Sequence, residues 1–164
     1  MADKNIEKLN KRIYLKMIEG SINIKLFNTI FVKFKDTGQV VDVCERGRKA
    51  CAFFVSGILT LVGYIDRPHA TIKTTIEKLI ENNWKEVGIN NLRKGDVVIW
   101  EKFRIGKEKN KHIGFVLNKD KAVSTSYRKR KVIKHHITFG KNKDKTPKRK
   151  IIQVFRVAIN KNYW

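Results

Sequence analysis

Three segments of the first half of the chain carry helical patterns. Residues 3–19 and residues 71–82 place apolar side chains on one face and charged ones elsewhere, which predicts two amphipathic helices. Their apolar faces consist of Ile6, Leu9, Ile13 and Met17 in the first helix, and Ile72, Ile76, Leu79 and Ile80 in the second. Between them, the uncharged stretch from Ala50 to about Val62 predicts a buried helix.

Strand patterns flank these helices and fill the second half of the chain. Asp36-Thr37-Gly38 separates two β-rich runs and predicts a hairpin within residues 26–43. Later strands are predicted at Val97–Trp100, His112–Leu117, Ala122–Ser126, Val132–Phe139 and Ile151–Ile159, with a charged loop at 101–111 and a turn at 118–121. Helices come early and strands late, so we expect an α+β fold with N-terminal helices packed on a small antiparallel sheet.

The length of 164 residues and the hydrophobic fraction of 41% are those of a single folded domain. We divide it into a helix and hairpin (1–43), a core that holds the candidate site (44–127) and basic C-terminal strands (128–164). The apolar run from Ala50 to Ile65 is shorter than the roughly 20 residues of a membrane span and contains Gly57 and Gly63. No span is therefore expected, and the charged start of the chain, which lacks an apolar signal core, favours a cytoplasmic protein.

Cys51 is the first candidate for chemistry. It begins the predicted apolar helix, where free N–H groups and the helix dipole favour a thiolate, and Arg46, Arg48 and Lys49 precede it. The other cysteine, Cys44, follows a strand between acidic neighbours and is interpreted as structural. The alternative for Cys51 itself is a small apolar side chain of the core. Two cysteines at this spacing predict neither a disulfide framework nor a zinc site, and no metal or cofactor is expected.

A nucleophilic thiol needs a base, and four histidines are available. His112 begins a predicted strand as it leaves a charged loop, and Gly114, two residues later, removes bulk from the same face. His69 is interpreted as a loop or capping residue. His135 and His136 point to opposite faces of their strand, so at most one of them can reach a given site.

Three motifs resemble those of the NlpC-type and CHAP-type cysteine peptidases and amidases. They are ACAFFVSGIL, which opens with Ala50 and Cys51, then LRKGDVVIW, which contains Gly95 and Asp96, and then HIGFVL from His112. The resemblance covers residues 44–127, although Ala50 and Phe53 depart from the usual aspartate and glycine. It implies a papain-like fold and hydrolysis of an amide or peptide bond through a Cys51 thioester, with His112 as base and an oxyanion hole near the Cys51 N–H.

The family also has a polar residue on the strand after the base, and the matching position here is Ser124. Geometry leaves a choice: a regular hairpin at 118–121 places Thr125 opposite Gly114 on the His112 face, whereas a bulge places Ser124 there. A hydroxyl can accept a hydrogen bond from the imidazole but lacks the charge of a carboxylate. His135 or His136 is therefore a further alternative for this role.

Positive charge dominates the composition and suggests a second function. The chain has 37 Lys and Arg against 15 acidic residues, and residues 102–150 alone hold 18 Lys or Arg and three acids. Such a surplus attracts polyanions, including nucleic acid, and aromatic residues alternate with the charges. The residues concerned are Arg128, Lys129, Arg130, Lys131, Lys148, Arg149 and Lys150, with Phe103, Phe115, Tyr127 and Phe139 interleaved. The alternative to a hydrolase is thus an inactive basic binding module, and a third hypothesis is an enzyme whose basic rim holds an anionic peptide or amide.

Trp84, Trp100 and Tyr127 are interpreted as core residues rather than cleft lining.

Overall fold

The computed structural model describes residues 10–105 and 108–158. Within them the helices are α1 (Asn10–Gly20), α2 (Cys51–Leu61) and α3 (Ile72–Glu81). The strands are β1 (Phe31–Lys33), β2 (Val40–Asp42), β3 (Trp84–Glu86), β4 (Val97–Ile105), β5 (Glu108–Val116), β6 (Lys121–Ser126), β7 (Lys131–His136) and β8 (Ile151–Val157). The residues 3–9 of the first predicted helix and Ile159 of the last predicted strand lie outside the described residues.

The strands form two antiparallel sheets, which confirms the α+β class. β1 and β2 make the predicted hairpin, and the other strands make a six-stranded sheet in the order β3-β8-β4-β5-β6-β7. Consecutive strands β4 to β7 are neighbours in this sheet, with short turns from β5 to β6 and from β6 to β7, while β8 returns along the other edge of β4. The histidines and Ser124 therefore come from three adjacent strands.

The apolar helix α2 packs on one face of the large sheet. Phe54, Val55 and Ile58 belong to the same buried cluster as Ile113 and Phe115 of β5. A second cluster, on the opposite face, contains Val98, Trp100, Val116, Ala122 and Val154. Because successive residues of a strand point to opposite faces, β5 is covered on both sides at its C-terminal half. No helix in the described ranges 10–105 and 108–158 has the length and apolar character needed to cross a bilayer.

The prediction of a charged loop at 101–111 is wrong, because strands occupy most of these residues. β4 and β5 run past the core as a paired arm, in which Phe103 lies opposite Asn110 and Arg104 opposite Lys109, beyond a bulge after Trp100. The side chains of this arm are mostly exposed, so the pattern shows no apolar alternation. Main-chain pairing makes a strand here without a buried face. The sequence pattern also does not predict β3, which has three residues and pairs with β8.

Gly95 and Asp96 tie the start of β4 to two other elements. The Asp96 carboxylate, 2% exposed, accepts hydrogen bonds from Arg156 Nε at 2.8 Å and Nη2 at 2.7 Å. The Tyr14 hydroxyl donates to the Gly95 carbonyl at 2.6 Å. Gly95 has a φ of +88°, and a Cβ there would lie 2.8 Å from Leu15 Cδ2, so glycine is required. This motif has a structural role: it holds α1 and β8 against β4.

Candidate active site

A pocket of about 820 Å³ lies where α2 begins and β5 enters the core. Its walls come from the start of α2, the β4–β5 arm, the end of β6 and the segment before β8. Cys51, His112, Thr125 and Tyr127 all line it. Two sequence segments 61 residues apart thus place the candidate nucleophile and the candidate base on one cavity.

Cys51 is the first residue of α2 and is partly exposed to this pocket. The expectation that the helix start holds a thiolate is corrected by the surroundings of the sulfur. Burial raises the pKa of the Cys51 thiol above its ordinary value of 9.0 and is the largest influence on it. The main-chain N–H groups of Ile113 and Ala52 and the charge of Arg149 act in the opposite direction. The thiol is therefore protonated at neutral pH, and it lies beside the strand that carries His112.

Cys44 differs from Cys51 in access. It is 0% exposed, and burial together with the nearby Asp42 raises the pKa of its thiol to about 11. Asp42 itself accepts hydrogen bonds from the main-chain N–H groups of Ile30, Cys44 and Arg46. These contacts support the interpretation of Cys44 as structural.

Ser124, rather than Thr125, shares the face of His112. Phe115 lies opposite Val123 and Val116 opposite Ala122, and Gly114 lies next to Ser124. The Ser124 hydroxyl oxygen lies 2.9 Å from His112 Nε2. Thr125 contributes its main-chain carbonyl instead, which favours the protonated imidazole of His112. Of the two alternatives for the 118–121 turn, the structure thus has the one that places Ser124 on the His112 face.

His135 extends this contact into a chain of three side chains. Its Nε2 lies 2.8 Å from the Ser124 hydroxyl, and its Nδ1 lies 2.8 Å from the His136 carbonyl oxygen. His136 itself faces away and hydrogen-bonds to Thr138. As the alternation of the strand predicts, only one of the two histidines reaches the site.

The His136 carbonyl sets the direction of every hydrogen bond in the chain. A carbonyl only accepts, so Nδ1 of His135 carries a proton, and Nε2 of a neutral His135 is an acceptor. The Ser124 hydroxyl therefore donates to His135 and accepts from His112 Nε2–H. In neutral His112 this direction places the proton on Nε2 and leaves the lone pair on Nδ1.

Both imidazoles are neutral at physiological pH. Burial, then the positive charge of Arg149, lowers the pKa of His112 from 6.5 to about 3. Burial likewise lowers the pKa of His135 to about 4, although the His136 carbonyl opposes the shift. The resting site consequently holds a thiol and an imidazole rather than a thiolate–imidazolium pair.

Aromatic rings pack against the two histidines on the face of the sheet that is opposite α2. Phe139 stacks on His135 with ring centroids 4.0 Å apart, and Trp100 lies 5.6 Å from His112. Trp100 is 0% exposed and donates its Nε1–H to the Ile137 carbonyl at 2.6 Å. Trp100 is thus a core residue, as expected, and so is Trp84, whereas Tyr127 lines the pocket.

Two members of the predicted basic and aromatic surface are buried, which corrects that expectation. Phe115 is 0% exposed and belongs to the core beneath α2. Arg149 is 6% exposed and donates from Nε to the Glu101 carbonyl at 2.9 Å and from Nη2 to the Asn110 carbonyl at 2.7 Å. Its guanidinium lies between the rings of Phe103 and Phe139, at 5.7 Å and 5.5 Å from their centroids. Nothing in the Lys-rich sequence around Arg149 distinguishes it, because its burial depends on the distant β4–β5 arm.

No protein-family model matches the chain, and a comparison with curated protein sequences gives no significant match. Within residues 10–105 and 108–158, no group of three or more His, Cys, Asp or Glu side chains is arranged to hold a metal ion.

Proposed function

We propose that the protein is a cysteine hydrolase of papain-like architecture, similar to NlpC-type and CHAP-type enzymes, that cleaves an amide or peptide bond through a thioester at Cys51. The observation that carries the proposal is the oriented chain His112–Ser124–His135 beside the pocket that Cys51 lines. It places the lone pair of neutral His112 on Nδ1, which is the atom that would act as base.

The protonation states define the first chemical step. Because both groups are neutral, the Cys51 sulfur attacks the carbonyl carbon while its proton passes to His112 Nδ1. The Cys51 N–H lies at the start of α2, where the helix dipole favours negative charge. We therefore assign this N–H to the oxyanion that forms on the substrate carbonyl. The Thr125 carbonyl and Ser124 stabilise the imidazolium that forms.

The second half of the reaction restores the enzyme. The His112 imidazolium protonates the leaving amine as the carbon–nitrogen bond breaks, which leaves a thioester on Cys51. Water then attacks the thioester carbonyl and gives its proton to His112 Nδ1. The thiolate leaves, recovers the proton and releases a carboxylic acid, so that neither an oxidant nor a cofactor is consumed.

Cleavage of a peptide library tests the proposal directly. Wild-type protein, Cys51→Ala and Cys44→Ala are incubated with N-acetylated peptides of mixed sequence, and the products are identified by mass spectrometry. We expect cleavage by the wild type and by Cys44→Ala, and none by Cys51→Ala. Products that persist in Cys51→Ala, or no cleavage by any of the three, would contradict a Cys51 hydrolase.

Thiol labelling gives an independent comparison of the two cysteines. Iodoacetamide should modify Cys51 at least about tenfold faster than Cys44 at neutral pH, because Cys51 lines the pocket whereas Cys44 is 0% exposed. Equal and slow labelling of both thiols in the folded protein would remove the basis for a nucleophilic Cys51.

Polyanion binding is the second candidate, and one surface feature favours it. Arg128, Lys129 and Arg130 are exposed in the turn after β6, and Arg128 lines the same pocket. Binding of this kind should weaken steeply with salt because counterions are released. A binding module without chemistry would keep its affinity for single-stranded DNA or RNA in Cys51→Ala and would cleave no peptide; no binding at low salt would exclude it.

A further inference from the structure

Arg149 is a buried cation whose guanidinium contacts no carboxylate directly among the described residues. Its two hydrogen bonds go to main-chain carbonyls, which carry no net charge. Among the described residues, no carboxylate oxygen forms an ion pair with it; the charge of Glu101 favours the cation without touching it, and the Glu101 carboxylate accepts from the Lys150 N–H. A buried charge is costly unless an opposite charge compensates it. Neutral donors would satisfy two carbonyls equally well, so the hydrogen bonds alone do not explain the charge.

The pocket as a whole also has more cationic than acidic lining residues. Among its described lining residues seven are cationic: Arg48, Lys49, Arg104, Lys111, Arg128, Lys148 and Arg149. The acidic lining residue is Glu108, and its carboxylate is bound to Lys49 at 2.9 Å. A concave site lined by one sign of charge concentrates ligands of the other sign.

Arg149 brings positive charge next to the groups that would react. Arg149 lines the pocket beside Cys51 and His112, and its charge lowers the pKa of both groups. Two of the three guanidinium nitrogens hold the carbonyls of Glu101 and Asn110, which fixes the plane of the group, and donors remain for a ligand. A planar guanidinium held in this way is suited to bind a carboxylate.

We propose that Arg149 binds a carboxylate of the substrate within one residue of the scissile bond, so that the preferred substrate is an acidic peptide or amide. This inference rests on the proposed hydrolase function. The buried guanidinium provides the specific contact, while the exposed cations at the rim raise the local concentration of anionic substrate. The substrate carboxylate then supplies the direct ion pair that Arg149 otherwise lacks.

Two alkylating reagents of nearly equal size test the contact without requiring hydrolysis. Iodoacetate carries a carboxylate next to its reactive carbon, whereas iodoacetamide is neutral. The ratio of their rates at Cys51, measured by mass spectrometry, cancels any change in the thiolate fraction. We expect Arg149→Gln, which retains donors for the two carbonyls, to lower the iodoacetate-to-iodoacetamide ratio about tenfold, the effect of one charge-assisted hydrogen bond.

Lys143→Gln is the matched control, because it removes the same charge from an exposed position outside the pocket lining. Its ratio should stay within about twofold of the wild type, as expected for a distant screened charge. An equal fall in both variants would mean that only net charge matters, and an unchanged ratio in folded Arg149→Gln would overturn the proposal.

A ligand experiment on the wild-type protein covers the case in which Arg149→Gln does not fold. The α-amides of N-acetylglutamate and N-acetylglutamine differ by one charge, and they are compared as protectants of Cys51 against iodoacetamide. Protection by the glutamate compound alone supports a carboxylate site; equal protection by both, or by neither, overturns it. Because neither assay involves amide cleavage, carboxylate binding without peptide cleavage would contradict the hydrolase and leave the anion site standing.

Discussion

Gly114 and Ser124 lie so close together across β5 and β6 that a Cβ atom on Gly114 would be 2.8 Å from the Ser124 Cβ. The same atom would lie 2.6 Å from the Val123 carbonyl oxygen and 3.1 Å from the Trp100 ring. Main chain and a buried indole surround this position, so the neighbours have little room to move. The absence of a side chain at Gly114 is therefore what allows Ser124 to approach His112.

Replacing Gly114 by alanine should disturb both stability and the site. We expect the free energy of unfolding to fall by about 1–3 kcal/mol, as for other insertions into packed regions. Peptide cleavage should fall further than stability explains, because Ser124 is pushed away from His112. Urea unfolding and cleavage by the folded variant measure the two effects. Gly88→Ala is the control, since a Cβ there has nothing within 4 Å, and a similar loss in both variants would contradict the packing argument.

Removing the Ser124 hydroxyl breaks the chain between the two histidines. In Ser124→Ala, the inward nitrogens of His112 and His135 lose their shared partner, which should cost about 1–3 kcal/mol of stability for the unsatisfied polar groups. The tautomer of His112 is no longer fixed, so we expect kcat to fall at least about tenfold with a smaller effect on KM.

Thr125→Val provides the comparison, because it removes the neighbouring hydroxyl and keeps the main-chain carbonyl that acts on His112. Its effect on kcat should be far smaller than that of Ser124→Ala. If instead Thr125→Val inactivates the protein and Ser124→Ala does not, the orientation of His112 through Ser124 is wrong.

The sequence predicts which residues form this site better than it predicts the hydrogen bonds between them. The order of Cys51, His112 and Ser124 along the chain follows from motifs and from strand patterns. The choice between Ser124 and Thr125 depends on the register of one turn, and a shift by one residue exchanges the two faces of a strand. No local pattern determines that shift, so only the structure distinguishes these residues.

Other features depend on contacts between distant segments. The His135 contact requires three adjacent strands in register, and the burial of Arg149 requires the β4–β5 arm, whose exposed side chains have the pattern of a loop. The pKa of Cys51 is a similar case: the helix start predicts a lowered value, but burial beneath the sheet outweighs it. Helix and strand patterns report local preferences, whereas desolvation depends on the whole fold.

The lowered pKa values of His112 and His135 predict a loss of stability in mild acid. In the unfolded chain both imidazoles take up protons near pH 6.5, whereas in the folded protein they stay neutral until about pH 3 for His112 and about pH 4 for His135. The unfolded state therefore binds more protons between these limits, and stability falls as the pH drops from about 6.5 towards 4.

His135→Gln removes one of the two groups and can still hydrogen-bond to Ser124. We expect its urea midpoint to decline less steeply than that of the wild type between pH 7 and about pH 5, above the range in which most carboxylates titrate. Identical slopes in the two proteins would show that His135 does not remain neutral in the folded state.

The protonation state of Cys51 at rest can be measured through its alkylation rate. A thiol with a pKa above its ordinary value of 9.0 should react with iodoacetamide at a rate that rises continuously with pH up to and beyond that value. A thiolate–imidazolium pair would instead react at a constant rate from about pH 5 to 8, because the thiolate would persist there.

His112→Gln gives a second way to distinguish the neutral pair from the ion pair. With a neutral pair, this variant should keep the alkylation profile of Cys51 and lose peptide cleavage, since His112 acts only as the base. A plateau in the wild type that disappears in His112→Gln would instead establish an ion pair, and proton transfer would then precede the attack on the substrate rather than accompany it.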